Sequence, residues 1–188
     1  MVIRDKVYTA DDLWEISHHD DEHRYELIEG ELVEMSPTGE EHGDIASELN
    51  MRIRLFVKEQ SLGRVTAAET GYVLWENPAG KNTVLAPDVG FMSKSRLSST
   101  RSSKFVQGAP DLAVEVLSPT DSYPKTLKKV NLFLKYGTRI VWIVDPKDKT
   151  VAEHRPNTEP EIFDVSDILN GGDVLPGFTL SVKDIFSE

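Results

Sequence analysis

The order of apolar and polar residues along the chain predicts strands alternating with amphipathic helices. Residues 24–35 alternate on both sides of Glu29-Gly30, a pattern typical of a β-hairpin with one buried face. Residues 42–60 carry apolar side chains at helical spacing and predict a long amphipathic helix, with Gly63 just past its end as a stop signal. A short helix is predicted over residues 9–17, with Thr9 as its N-cap.

The second half of the chain predicts a crossover between parallel strands. Residues 111–118 and 139–145 are nearly continuous apolar runs, and between them lies a predicted helix over 121–136, ended by Gly137. Two buried strands joined by a helix pair in parallel within a central sheet. Residues 64–76 and 84–92 are β-rich and are expected to pair as neighbouring strands of a meander.

These elements predict an α/β fold class of mixed α and β structure. We expect one domain over residues 1–188, with a central mixed β-sheet flanked by helices, the N-terminal hairpin, and C-terminal edge strands followed by a last docked turn. The composition, 39% hydrophobic and 28% charged, is that of a globular protein. No apolar run approaches the roughly 20 residues that span a bilayer. The N-terminus lacks the apolar stretch of a secretory signal, so a cytoplasmic location and no membrane partner are expected.

Charge and the absence of Cys narrow the possible chemistry. The net charge of −11 argues against indiscriminate binding of nucleic acid, which depends on Lys and Arg, but it allows a local basic cleft. Without Cys there are no disulfides or thiolate metal sites, so any metal ion is bound by oxygen or imidazole ligands.

Two carboxylates stand out because each lies in an apolar strand-like run. Asp88 and Glu115 are costly there unless they are paired or bind a cation. The plain alternatives are that Pro87-Asp88 opens a turn and that Glu115 forms a salt bridge at a strand end. Asp111 also follows a proline, and at the start of its strand the turn interpretation is the better one.

Lys129 and His42 are further candidates because of their helical positions. Lys129 lies at the border of the apolar arc of its predicted helix and reaches inward, unless its stem only covers apolar surface. His42 falls on the apolar face of the 42–60 helix, where it is either a histidine bonded to backbone or a contact to a substrate or metal.

Other charged residues have plainer interpretations. Glu26 and Glu29 of the hairpin are predicted to be solvated charges, with at most one of them directed into a site. The basic, serine-rich segment 93–108 is predicted to be a solvated loop, with contacts to phosphate as the alternative.

The motifs occur in a specific order along the chain, and that order resembles a known family. They are Y-E-L-I-E-G-E-L, His42 ahead of an amphipathic helix, A-P-D-V, L-A-V-E-V-L-S-P, a lysine eight residues before Gly137, and V-W-I-V-D-P. In this combination the chain resembles the Uma-two family of endonucleases, within the PD-(D/E)xK restriction-endonuclease-like superfamily. The resemblance covers the chain from about residue 25 to residue 146.

The resemblance implies which residues act. Asp88 matches the aspartate of the PD motif, and Glu115 matches the acidic residue of the E-x-K motif. Leu117 stands where the superfamily has the lysine of that motif, and Lys129 on the following helix is the residue expected to replace it. His42 matches a family histidine.

The resemblance also implies a cofactor and a substrate. Asp88 and Glu115, with the carbonyl of Val116 as a third oxygen, are expected to bind Mg²⁺ or Mn²⁺. The implied reaction is hydrolysis of a nucleic-acid phosphodiester, in DNA rather than RNA, and a homodimer is expected. Two alternatives remain open: a noncatalytic nucleic-acid-binding or oligomerisation module on the same fold, and a metal-dependent phosphoesterase acting on small molecules.

Overall fold

A five-stranded and a six-stranded β-sheet form the centre of the fold. The computed structural model describes residues 6–20, 22–77, 80–119 and 123–187. Its helices are α1 (Ala10–His19), α2 (Glu40–Glu59), α3 (Tyr123–Lys135) and α4 (Val182–Ile185). Its strands are β1 (Arg24–Ile28), β2 (Glu31–Met35), β3 (Gly63–Ala67), β4 (Tyr72–Trp75), β5 (Thr83–Leu85), β6 (Val89–Ser93), β7 (Val106–Gln107), β8 (Leu112–Val116), β9 (Ile140–Asp145), β10 (Thr150–His154), β11 (Glu161–Phe163), β12 (Ile168–Asn170) and β13 (Thr179–Ser181).

The six-stranded sheet contains the predicted crossover. Its strand order is β11-β10-β9-β8-β6-β3, and β8 and β9 are parallel while the other neighbours are antiparallel. The helix α3 connects β8 to β9, as the two apolar runs predict. The prediction of a mixed sheet flanked by helices is confirmed, and β11 is a C-terminal edge strand, with β10 between it and β9.

The core has two faces because successive residues of β8 point to opposite sides. Leu112 and Val114 pack in a cluster with Ile45, Leu49 and Ile53 of α2. Ala113, between them, packs in a second cluster with α3 and with strands of the five-stranded sheet. The six-stranded sheet therefore lies between α2 on one side and α3 with the second sheet on the other.

The hairpin predicted at Glu29-Gly30 is confirmed. β1 and β2 pair in antiparallel register, with Ile28 opposite Glu31. Both turn residues have positive φ, 51° at Glu29 and 89° at Gly30, as the common two-residue turn between twisted strands requires. In the five-stranded sheet, whose order is β2-β1-β5-β4-β7, β1 is an interior strand.

The expected pairing of residues 64–76 with residues 84–92 is observed, because β3 pairs with β6 and β4 with β5, but the two pairs lie in different sheets and not in one meander. The run 84–92 is divided at Pro87-Asp88, so that β5 joins the five-stranded sheet and β6 joins the six-stranded sheet. The run 64–76 is divided in the same way, into β3 and β4. Buried strands of two packed sheets are equally apolar, so the pattern does not reveal where the chain passes from one to the other.

The helix predictions were accurate to a few residues. Thr9 caps α1, and its hydroxyl accepts a hydrogen bond from the N–H of Asp12 at 3.1 Å. Gly137, with φ of 108°, ends α3 as predicted. Gly63 does not end α2, because the helix stops at Glu59 and Gly63 opens β3, where a side chain would overlap the carbonyl of Met92. None of the helices in the described part of the chain is both long and apolar enough for a membrane span.

Candidate active site

Asp88 lies where the chain passes from one sheet to the other, between β5 and β6. Its Oδ2 accepts a hydrogen bond of 2.8 Å from the backbone N–H of Val116 at the end of β8. The same oxygen lies 3.3 Å from Nε2 of His42. The carboxylate is thus held from two sides, by the neighbouring strand and by α2, and it remains partly exposed.

Glu115 is the buried member of the carboxylate pair. It lies on the same face of β8 as Ala113, and its Oε2 accepts a hydrogen bond of 2.8 Å from Nζ of Lys129. Its other oxygen, Oε1, is buried and has no hydrogen-bond partner among the described residues. Burial, together with the negative charges of Asp88 and Glu26, raises the pKa of Glu115, and Lys129 opposes this rise. The site holds a carboxylate with unsatisfied capacity to bind a cation.

Lys129 projects inward from α3, as its helical position predicts. Its Nζ lies 2.8 Å from Oε2 of Glu115 and 3.1 Å from Oε1 of Glu26. Burial acts to lower the pKa of Lys129, but the charges of Glu115 and Glu26 outweigh it and the net shift is upward. The ammonium group is therefore a fixed positive charge between two carboxylates.

Glu26 is a site residue that the sequence interpretation missed. The sequence favoured a solvated charge and allowed one of the two hairpin glutamates to be directed into a site; with an exposure of only 4%, Glu26 is that residue. Its Oε1 accepts a hydrogen bond of 2.8 Å from the N–H of Ala86 and also contacts Lys129. Glu29, by contrast, lies in the exposed turn. The sequence indicated only weakly that Glu26 belongs to the site. A glutamate in an interior strand that is covered on both faces needs a hydrogen-bond or ion-pair partner.

His42 connects α2 to the site from the other side of the six-stranded sheet. It occupies the first turn of α2 and is buried, and its imidazole contacts Asp88. The structure therefore brings Asp88, Glu115, Lys129 and His42 together, and Val116 joins Asp88 through its backbone.

A cleft of about 880 Å³ reaches this cluster at His42 and Asp88, whereas Glu115 and Lys129 do not line it. His42 and Asp88 lie in its wall, and Arg24 and Arg54 add positive charge. Neither arginine was predicted from the sequence, which indicated contacts to phosphate at the basic segment 93–108 instead. The carboxylate of Asp88 is therefore accessible from the cleft.

Comparison with known proteins identifies a family and a similar fold. A family model described as "Putative restriction endonuclease", Uma2, matches residues 11–183. The chain belongs to the Uma2 family. The fold is similar to a crystal structure of "a putative nuclease belonging to DUF820" from Anabaena variabilis, with a TM-score of 0.79 and 28% sequence identity over 95% of this chain and 97% of that one. A search of the curated proteins gave no match. Family and fold together support a nuclease.

Two features of this Uma2 protein outside the cluster are structural. Asp111 accepts hydrogen bonds from the N–H of Ser93 at 2.7 Å and from Arg96 at 2.9 Å, so it fastens the start of β8 to the end of β6. Lys104, from the same basic segment as Arg96, pairs with Asp11 of α1 at 2.8 Å. Two of the segment's basic side chains are therefore engaged within the protein.

The donor atoms of the Uma2 site fit a hard divalent cation. Within the part of the chain that the structure describes, no group of three or more His, Cys, Asp or Glu side chains is arranged to hold a metal ion. Two carboxylates remain close together, because Val116, which follows Glu115, donates its N–H to Asp88. Oxygen ligands and the buried, unpartnered Oε1 of Glu115 suit Mg²⁺ or Mn²⁺ better than a soft metal.

Proposed function

We propose that this protein is a metal-dependent endonuclease that hydrolyses phosphodiester bonds of nucleic acid, DNA rather than RNA. The observation that carries the proposal is the convergence of Asp88 and Glu115 beside the inward ammonium group of Lys129. In the reaction, water adds across a P–O bond, so that one product ends in a phosphate and the other in a hydroxyl. The family description as a restriction endonuclease favours DNA as the substrate.

Asp88, Glu115 and the carbonyl of Val116 are the groups that would hold Mg²⁺ or Mn²⁺. When bound, the ion would supply a Lewis acid for a phosphate oxygen and lower the pKa of bound water. The burial of Glu115 strengthens its attraction for a cation, because the interior screens charge poorly.

Lys129 and His42 act on the groups around the reacting phosphate. Lys129, held by Glu115, orients the attacking water and stabilises negative charge as it develops, a role whose removal costs about 100-fold or more in rate. His42 holds the carboxylate of Asp88 in one orientation from α2. Neither role requires either side chain to move from its observed position.

The decisive experiment is Asp88→Asn, assayed for cleavage of supercoiled plasmid, single-stranded DNA and RNA with Mg²⁺ or Mn²⁺. Asn keeps an oxygen that accepts the Val116 N–H, so the fold should persist while cleavage is lost. Asp44→Asn, at an exposed position of α2, is the matched control and should cleave normally. Full activity of the Asp88 variant would overturn the assignment.

Calorimetric titration with Mn²⁺ separates the enzyme from a noncatalytic module on the same fold. Wild type should bind the ion and Glu115→Gln should bind it at least about tenfold more weakly. Absence of binding in both proteins would favour the noncatalytic module. Charge reversal of Lys94 and Arg101 tests the remaining alternative, since it should weaken DNA binding but leave hydrolysis of a small phosphodiester unchanged.

We further propose that the protein acts in the cytoplasm as a homodimer, so that two sites engage the two strands of a duplex. The resemblance to restriction-endonuclease-like enzymes supports this assembly. Light scattering of the purified protein checks it, and a mass of one chain of 21.1 kDa at all concentrations would contradict it.

A further inference from the structure

A second, smaller pocket of about 310 Å³ lies beside the cleft and has aromatic walls. Trp14 of α1 and Phe105, just before β7, form one side, with ring centroids 5.2 Å apart and planes at 86°. Tyr25 of β1 also lines the pocket. All three side chains are partly exposed, so their surfaces are accessible from the pocket. We call this site the aromatic pocket.

The aromatic pocket lies beside the cleft that contains Asp88. Arg24, Met35 and Ala86 line both spaces. Ala86 lies two residues before Asp88, and its N–H donates to Glu26, which lines the aromatic pocket and contacts Lys129. A group bound in the pocket is therefore adjacent to the groups that are proposed to act on the phosphate.

The lining of the aromatic pocket matches a nucleobase better than a phosphate. Aromatic side chains offer surfaces on which a base stacks, an interaction that every base makes. Glu26 and Ser17 offer hydrogen-bonding atoms to the edge of a base. Each charge of the lining is paired, Arg24 with Glu69 at 3.7 Å and Glu26 with Lys129 at 3.1 Å. The lining therefore offers no unpaired positive charge to a phosphate among the described residues, and the charged backbone is expected to remain in the cleft.

We propose that the aromatic pocket takes one unstacked nucleobase of the strand being cleaved. This inference rests on the proposed nuclease function and specifies its substrate: single-stranded nucleic acid, or a duplex from which one nucleotide is rotated outward. A base within a paired and stacked duplex does not reach such a pocket. Placing one base there fixes the neighbouring phosphate in the cleft beside Asp88.

The test uses short single-stranded DNAs in which each position in turn lacks its base. Binding is measured on the Asp88→Asn protein with Mg²⁺, so that cleavage does not interfere, and cleavage is measured on wild type. Loss of the base at one position should weaken binding about tenfold. Trp14→Leu and Phe105→Leu should weaken binding of the intact strand by a similar factor and remove the effect of the missing base. Trp75→Leu, at an exposed tryptophan that stacks on Tyr136 outside both spaces, is the control and should bind normally.

The outcomes distinguish this inference from the proposed function. If wild type cleaves, but every abasic strand binds like the intact one and a closed duplex is cleaved as fast as a single strand, the aromatic pocket is not a base site and the nuclease assignment stands. If wild type neither binds nor cleaves any nucleic acid, both proposals fail. The abasic series needs no change to Trp14 or Phe105, so it remains decisive even if those variants fold poorly.

Discussion

Glu26 and Lys129 are joined by an ion pair of 3.1 Å that links β1 to α3. Both side chains are largely withdrawn from solvent, and Glu26 is itself fixed by the N–H of Ala86. Glu26 is therefore placed to position Lys129 rather than to touch the substrate phosphate. Lys129 in turn contacts Glu115, a proposed metal ligand. Glu26 is therefore connected to the proposed metal site through Lys129.

Glu26→Gln should lower kcat for DNA cleavage about 10- to 100-fold while changing KM little, because Lys129 loses one of the two charges that hold it. Glu31→Gln, at an exposed position of the adjacent strand, is the control and should leave both quantities unchanged. An unchanged kcat in the Glu26 variant would show that its role is only structural.

Glu115→Gln should abolish cleavage and yet stabilise the protein at neutral pH. Burial raises the pKa of Glu115 above its ordinary 4.5, so the folded state favours the protonated form and loses stability as pH rises above that value. Gln removes this loss, and Lys129 keeps Glu26 as a partner. The gain should be largest near neutral pH and should shrink as pH falls toward 4.5.

Thermal unfolding of wild type and Glu115→Gln between pH 4.5 and neutral pH, without added metal, measures this difference in stability. Added Mg²⁺ should then stabilise wild type more than the variant, because only wild type keeps the complete carboxylate pair. A variant that is less stable than wild type at neutral pH would mean that the Glu115–Lys129 pair outweighs the burial of the carboxylate.

The parts of this structure that depend on local pattern were predictable. The hairpin turn, the N-cap at Thr9 and the inward side of α3 follow from residues within a few positions of each other, and each is observed. Asp88 and Glu115 were identifiable because a carboxylate in an apolar run demands a partner whatever the fold. The burial of Glu26 was not predictable in this way, since its partner Ala86 is 60 residues away in sequence.

The sequence also did not predict where the chain passes from one sheet to the other. Leu85 and Val89 are both fully buried, but on opposite sides of the break at Pro87-Asp88 they belong to different sheets. Hydrophobic pattern reports burial and not the neighbour against which a strand is buried. The aromatic pocket was hidden for the same reason, because Trp14 and Phe105 come from segments that meet only in the folded chain.

His154 should make the protein less stable in mild acid. It is buried in β10, and burial holds the pKa of His154 below 6.5. A histidine with a lowered pKa in the folded state contributes stability that is present above 6.5 and is lost as pH falls through its folded value. His154→Gln should therefore show a flatter decline in stability than wild type on acidification.

Urea unfolding at a series of pH values gives the free energy of unfolding of wild type and of His154→Gln as a function of pH. Carboxylates that titrate in the same range affect both proteins, so the difference between the two curves reports the contribution of His154. His19→Gln, at an exposed position of α1, should follow the wild-type curve. If the two curves for wild type and His154→Gln are parallel, His154 does not contribute to the pH dependence.

Gly90 should be irreplaceable because the two sheets approach each other over it. A methyl group at this position of β6 would lie 2.5 Å from the hydroxyl oxygen of Tyr72 in β4, well inside contact distance. That hydroxyl is also held by Thr66 at 2.8 Å, so the ring is not free to withdraw. Gly90→Ala should destabilise the protein by about 1–3 kcal/mol through overpacking, measured by urea unfolding. Two ring carbons of Tyr72 would also lie 2.8 Å from the new methyl group, so Tyr72→Phe would not relieve the overlap. Gly90→Ala should therefore cost less in a Tyr72→Leu background than in wild type, because leucine lacks both the hydroxyl group and these ring carbons. An equal loss in both backgrounds would show that the contact with Tyr72 does not cause it.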